Sequence, residues 1–266
     1  MDSDLVFLKL GGSLITDKAS AYTPCPGVIE RLAREIQGAR EQRADLQLLL
    51  GHGSGSFGHR AAAPYGTQRG VRTEREWRGF AEVATAAARL NRIVTDALAA
   101  AGVPVLSLQP SASARCENGR LTHLEINPLR QALARGLVPL VYGDVALDSV
   151  RGGTIVSTED LFVYLASALR PQRILLAGNP PGVLGTDGHV VPRITPATVS
   201  HLDAALRGAQ ETDVTGGMAA KVALMIGLVE ELEDLTVHIL TGTEPGLVQR
   251  ALVDPGFAAG TRISAS

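Results

Sequence analysis

Aromatic residues are scarce in this 266-residue chain, at 4 %. A surface that stacks unpaired bases needs more of them. Neither sign of charge dominates, with 25 Lys and Arg against 27 Asp and Glu and a formal net charge of −2. No basic cluster or acidic tail breaks that balance, so nothing favours a nucleic-acid or membrane partner. Cysteine occurs twice, as Cys25 and Cys116, without a CxxC spacing. Two isolated thiols argue against a disulfide framework and a cysteine-built zinc site, and they fit a reducing compartment. No apolar run approaches the roughly 20 residues of a membrane helix. The start, Met1-Asp2-Ser3-Asp4, carries acid where a secretory signal carries base. The expectation is a soluble cytoplasmic protein. The phosphate signatures GxxxxGKS/T, HRD and DFG are missing as well.

What is present is apolar sequence in a regular alternation. Hydrophobic residues make up 45 % of the chain, enough to bury a large core as one α/β domain or two small lobes. Residues 5–10, 46–50, 103–108, 137–142, 173–177 and 235–240 read as strands. Residues 28–43, 73–100, 158–169 and 216–233 have helical spacing. Strands that are apolar throughout and separated by helices imply an α/β fold with a mainly parallel sheet covered on both faces. Ligands of such sheets bind beyond the carboxyl ends of the strands. Those ends carry Gly11-Gly12-Ser13, the loop from Gly51 to Gly58, Gly143-Asp144 and Gly178-Asn179. Polar, turn-rich stretches at 113–123 and 183–193 predict peripheral hairpins.

Two glycine loops point to anion binding. Gly11-Gly12-Ser13 lets the chain turn sharply and bare its N–H groups, which form a concavity for anions. Lys9 lies just before it, inside an apolar run, where an ammonium group is costly unless an anion pairs with it. The alternative is a solvated lysine on the strand's other face. The second loop, Gly51-His52-Gly53-Ser54-Gly55-Ser56-Phe57-Gly58-His59, contains a literal GxGxxG. The dinucleotide reading of that pattern needs an acidic residue about 20 positions on, at the end of a strand. Glu74 and Glu76 lie in a helical stretch instead, so the dehydrogenase reading fails. His59 ends the loop and can donate to phosphate oxygens, or serve only as a polar helix N-terminal residue. His52 and His59 lack a third ligand at metal-site spacing, so no metal-ligating residue is expected. Further on, Met218, Val222, Met225, Ile226, Val229 and Leu232 form an apolar stripe. Lys221 sits at its edge, in a first turn where the helix dipole disfavours a cation. An anionic partner would account for it, as would a lysine snorkelling along the stripe.

In chain order, LKLGGSLITDK (8–18), GHGSGSFGH (51–59), LSLQPSA (106–112), LVPLVYGDVALD (137–148), VSTEDL (156–161) and DVTGGMAAK (213–221) resemble the amino acid kinase superfamily. The resemblance is greatest to its isopentenyl phosphate kinase branch. Fosfomycin kinases share the glycine loop, the paired lysines, the FGH histidine and a TGGM-type turn, whereas DVTGGM and YGDVALD are more similar to the isopentenyl phosphate branch. The resemblance implies an open αβα sandwich with a mainly parallel central sheet, a single domain over 1–266 with an acceptor lobe to about residue 170 and a nucleotide lobe beyond it. It implies ATP with Mg²⁺, a small-molecule phosphate acceptor and a homodimer. A regulatory module that binds nucleotide without turnover is the alternative from another functional class.

The resemblance also implies roles for single residues. Lys9 and Lys18 would hold the transferring phosphoryl group, and Gly11, Gly12 and Ser13 would wrap the ATP phosphates. Gly178, Gly182, Gly216, Gly217 and Lys221 would complete the nucleotide side. Gly53, Ser54, Gly55 and Gly58 would cradle the acceptor phosphate, and His59 would bond it. Phe80, Val83, Ala84 and Ala87 would line an apolar acceptor pocket, with Asp144, Ser157 and Thr158 close by. Glu159 falls where the family carries a lysine-organising aspartate. Gly178-Asn179-Pro180-Pro181-Gly182-Val183 replaces the family's TDVDGV and loses both of its acids.

Overall fold

Segments that are apolar on both faces belong in the middle of a covered sheet. The computed structural model of the chain puts them there. It describes residues 4–17, 19–199 and 217–266. The central strand is β1 (Asp4–Leu10), flanked in parallel by β2 (Leu46–His52) and β9 (Arg173–Gly178). Outward from β2 lie β6 (Val138–Tyr142) and β3 (Val105–Ser107). Outward from β9 lie β11 (Thr236–Thr241), β12 (Thr261–Ile263) and β10 (Arg193–Ile194). Only the β11–β12 pairing is antiparallel in this eight-stranded sheet. Because β1 sits between β2 and β9, the early and late parts of the chain share one sheet.

Alternation along β1 assigns the two helical layers. Val6, Leu8 and Leu10 point to one face, where they pack with α2 (Pro26–Gln42), α4 (Glu74–Ala100) and α8 (Leu247–Val253). Leu5 and Phe7 point to the other, against α5 (Asn127–Ala134), α6 (Thr158–Leu169) and α7 (Gly217–Glu231). Phe7 meets Phe162 of α6 at 5.2 Å between ring centroids. Lys9 has the parity of Phe7, so the strand aims it at the α6–α7 layer. The helices start where local chemistry satisfies their free N–H groups. Thr73 and Glu76 form a capping box at α4, and Ser157 and Asp160 form one at α6. Pro26 opens α2 in the first helical turn, where its missing N–H costs nothing.

A second sheet, absent from the sequence reading, has the order β5-β4-β7-β8. It contains β4 (Arg115–Glu117), β5 (Arg120–His123), β7 (Asp144–Asp148) and β8 (Gly152–Val156). The predicted hairpin at 113–123 is β4–β5. Gly143-Asp144 ends β6 as expected, but the chain then passes straight into β7 rather than into a loop. The Asp148 carboxylate fastens this sheet, accepting from the backbone N–H of Asn118, Gly119, Val150 and Arg151. The stretch 183–193 is held by a single antiparallel bridge, Leu184 to Val190. Two short helices, α1 (Gly12–Ile15) and α3 (Gly55–Ala62), occupy segments read as plain loops.

Candidate active site

Lys9 is 8 % exposed, so the solvated-lysine alternative does not hold. Its ammonium is ion-paired with Glu159, the second residue of α6. The same carboxylate oxygen, Glu159 Oε1, lies 3.8 Å from Lys221 Nζ in the second turn of α7. Three elements distant along the chain thus meet beyond the carboxyl end of β1. Burial pushes the Glu159 carboxyl up, but the ammonium groups of Lys9 and Lys221 outweigh it and hold the carboxyl below its ordinary range. Its place at the start of α6 adds the favourable end of the helix dipole. Lys221 therefore has the anionic partner that its position near a helix start calls for.

The two glycine loops lie against each other beside these groups. The first is tied to β9 by Gly11 N–H donating to Ala177 O at 2.8 Å. The second is tied to β1 by Gly53 N–H donating to Leu10 O at 3.1 Å. A methyl group on Gly12 would stand 2.6 Å from the Gly55 Cα, a distance no real side chain tolerates. Gly55 takes φ of +51°, which glycine adopts without strain. Ser54 precedes α3 as its N-cap, and Gly58 packs on the Ser54 side chain. His59 is not at the helix start, as one sequence alternative had it. The chain is helical from Gly55 onward, so His59 sits in the second turn of α3, half-buried.

Behind the second loop, His52 is fully enclosed and stacked on Tyr142 at 5.5 Å. Burial first, with Lys9 adding to it, pushes its imidazole down to about 4 against opposing bonds to Gly53 and Asn91, so the ring is neutral. Nδ1 lies 3.1 Å from Gly53 O and Nε2 lies 3.3 Å from Asn91. Both partners are oxygens, the second being Asn91 Oδ1, so the single proton of the neutral ring is donated to one of them, while the Asn91 amide N–H donates to Ser107 Oγ at 2.7 Å and His52 backs the second loop. Sequence reading considered His52 only as a metal ligand and missed this role, which only the fold brings into view.

Phe80, Val83 and Ala84 lie on one face of α4. Val83 belongs to a buried cluster with Val145 of β7, and Phe80, Ala84 and Ile155 of β8 pack against it. Val145 and Ile155 are cross-strand partners that the sequence reading missed, because β7–β8 went unrecognised. Ala87 is buried on the same helix. Asp144, Ser157 and Thr158 each hold a contact within the framework. Asp144 is 1 % exposed and its oxygens accept from Ser111 and Val145 N–H. Ser157 caps α6, and the Thr158 hydroxyl donates to His52 O at 2.7 Å. Their side-chain oxygens are engaged within the protein.

At the end of β9, the Gly178 carbonyl accepts from Gly242 N–H at 2.7 Å. The Asn179 side-chain amide donates to Ser13 O at 3.0 Å, so the residue that replaces a family acid steadies the first glycine loop. Gly182 is enclosed against Thr261 and Val190, which makes it a packing residue. Gly217 opens α7 with φ of +59°. Lys18 and Gly216 lie outside the described residues. Among the described residues, no group of three His, Cys, Asp or Glu could hold a metal ion.

A mainly parallel α/β sandwich with lysines gathered on one carboxylate beside two glycine loops defines a phosphate-handling enzyme of the small-molecule kinase type. The amino acid kinase family model matches residues 4–241, and the chain belongs to that family. Within it, the chain is 36 % identical to the isopentenyl phosphate kinase of Methanothermobacter thermautotrophicus, over 98 % of this chain and 99 % of that one. It is 40 % identical to the isopentenyl phosphate kinase of Haloferax volcanii, over 92 % and 98 % of the two chains. A crystal structure of an isopentenyl phosphate kinase superposes with a TM-score of 0.83 at 33 % identity, covering 98 % of this chain and all of that one.

Proposed function

We propose that the protein transfers the γ-phosphoryl group of ATP to the phosphate of isopentenyl phosphate, giving isopentenyl diphosphate and ADP. The observation that carries this reading is the convergence of Lys9 and Lys221 on Glu159 beside interlocked glycine loops. The isopentenyl phosphate kinases to which the chain is similar along nearly its whole length support the choice of acceptor.

Phosphoryl transfer asks the protein mainly for position and charge neutralisation. Two phosphates repel, and unit charges 4 Å apart interact by about 4 kcal/mol at an effective dielectric of 20. Each phosphate carries more than one charge, so cations must offset a multiple of that. Lys9, Lys18 and Lys221 would supply it, with N–H groups from Gly11 to Ser13 toward ATP and from Gly53 to Gly55 toward the acceptor. Glu159 would hold two of the ammonium groups in place without cancelling both. An acceptor phosphate is already ionised at neutral pH, so no strong base is required, and His59 would act as a donor to it. The apolar face of Phe80, Val83, Ala84 and Ile155 would receive the alkyl chain. Mg²⁺ would enter on the nucleotide's phosphates and add positive charge there, since the protein's carboxylate at this point is engaged by lysines. In this reading the part to about residue 170 binds the acceptor and the rest the nucleotide. The working form would be a cytoplasmic homodimer, at twice the 27.8 kDa chain mass. No described helix is long and apolar enough to cross a membrane.

The test is ³¹P NMR of the purified protein with ATP, Mg²⁺ and isopentenyl phosphate. ADP and a diphosphate ester should form in equal amounts. ATP left intact, or hydrolysed to free phosphate at the same rate without acceptor, would refute the reading.

A further inference from the structure

Thr16 follows α1 directly and is 2 % exposed. Its hydroxyl donates to Gly12 O at 2.7 Å, within the first glycine loop. The same oxygen accepts from Ser56 N–H at 3.0 Å, in the first turn behind the second loop. That N–H is one of the free donors of a helix start, and α3 has no side-chain cap of its own, since Ser54 makes none. Thr16 therefore caps α3 from the opposite loop. The contact is close enough that a methyl on Gly55 would stand 2.9 Å from Thr16 Cγ2. The last backbone bond between β1 and the second loop is Gly53 N–H to Leu10 O, and past it the β1–β2 ladder no longer fixes how far apart the loops lie.

We infer that Thr16 is a positioning residue that sets the separation between the transferring phosphoryl group and its acceptor. This rests on the phosphotransferase reading above, with ATP phosphates on the first loop and the acceptor phosphate on the second. Reacting atoms must lie about 3–3.5 Å apart, and a displacement of about 1 Å costs on the order of 100-fold in rate. One buried hydroxyl shared by both loops holds that distance without touching either substrate.

The experiment compares Thr16→Val, which keeps the shape and loses the hydroxyl, with Thr16→Ser, which keeps the hydroxyl. Thr16→Val should lower kcat on the order of 10- to 100-fold, with the separately measured affinities for an ATP analogue and for isopentenyl phosphate little changed. Thr16→Ser should restore most of the rate. Wild-type kcat in Thr16→Val, or equal losses in both variants, would overturn the inference. If Thr16→Val does not fold, Thr16→Ser and Thr16→Ala make the same comparison. A second readout needs no turnover. A bound ATP analogue should slow hydrogen exchange over residues 53–59 in the wild type and not in the hydroxyl-free variant. Equal protection in both would count against Thr16 by itself. A wild-type protein inactive on isopentenyl phosphate would instead remove the substrate assignment and leave this exchange test to decide the role of Thr16.

Discussion

Glu159→Gln removes a single charge from the centre of the site and keeps the side chain's shape. In the native protein the carboxylate faces Lys9, which is 8 % exposed, and Lys221 at 3.8 Å. Breaking a buried pair by removing one partner costs about 3–5 kcal/mol, because the other charge is left uncompensated. The Lys221 side chain is 30 % exposed and water can reach it, so the lower end applies. For a chain of this size each kcal/mol is worth about 2–4 °C, which puts the expected fall in Tm at about 6–12 °C. Saturating ATP should narrow that gap, since its phosphates supply the missing anion. The lysines would also lose their common anchor, with an expected loss in kcat on the order of 10- to 100-fold. The carboxyl is held below its ordinary value of 4.5, so it contributes stability that is full above that pH and lost as pH falls through the lowered value. Glu159→Gln should therefore be less sensitive to acid than the wild type. Scanning calorimetry with and without ATP, beside steady-state kinetics, measures all of this. A variant with unchanged Tm and unchanged kcat would refute the electrostatic reasoning.

Lys9→Ala should lower kcat on the order of 10²–10³-fold, as the loss of a charge-stabilising donor does; undiminished turnover would remove Lys9 from the mechanism. His59→Ala should raise the KM for isopentenyl phosphate while leaving that for ATP near its wild-type value, and acceptor kinetics that do not move would exclude the histidine from the acceptor site. His52 and His238 are both pushed by burial to about 4 from 6.5, with Arg262 and Arg173 adding to the effect at His238. Between those values the unfolded chain binds protons that the native protein does not. Stability should thus be full above pH 6.5 and fall as the pH drops toward 4, by about 1.4 kcal/mol per pH unit for each histidine. Urea midpoints across that range should lose much of their slope in the double variant His52→Gln, His238→Gln, and an unaltered slope would count against two buried neutral rings.

Six strands of the central sheet were readable, most of them as continuous apolar runs, a pattern that propensity and burial both favour, whereas β10 and β12 are two and three residues long, carry exposed arginines and were not. Lys9 stood out as a charge inside such an apolar run. The β7–β8 hairpin was not readable. Asp144 to Val156 alternates only weakly, Leu147 is exposed, and Asp148, which accepts from Val150 and Arg151 in its own turn, takes its other two backbone partners from Asn118 and Gly119, which become neighbours only after folding. Missing that hairpin hid Val145 and Ile155 from the apolar cluster with Val83, and it hid the contacts of Asp144, whose oxygens accept from Ser111 and Val145 N–H. Glu159 was found through its place in a familiar motif, but that it grips Lys9 and Lys221 together is a fact of tertiary structure. Thr16 carried no sequence signal, since a threonine after a glycine loop shows nothing until the second loop lies against it.

In the proposed reaction two oxyanions meet between the glycine loops, beside the lysines that Glu159 holds. A crystal structure with a non-hydrolysable ATP analogue and isopentenyl phosphate tests it directly. The terminal phosphate of the analogue should contact Lys9 and the first glycine loop, with the acceptor phosphate on Gly53 to Gly55 and in line with it. Either phosphate bound away from these groups would contradict the account.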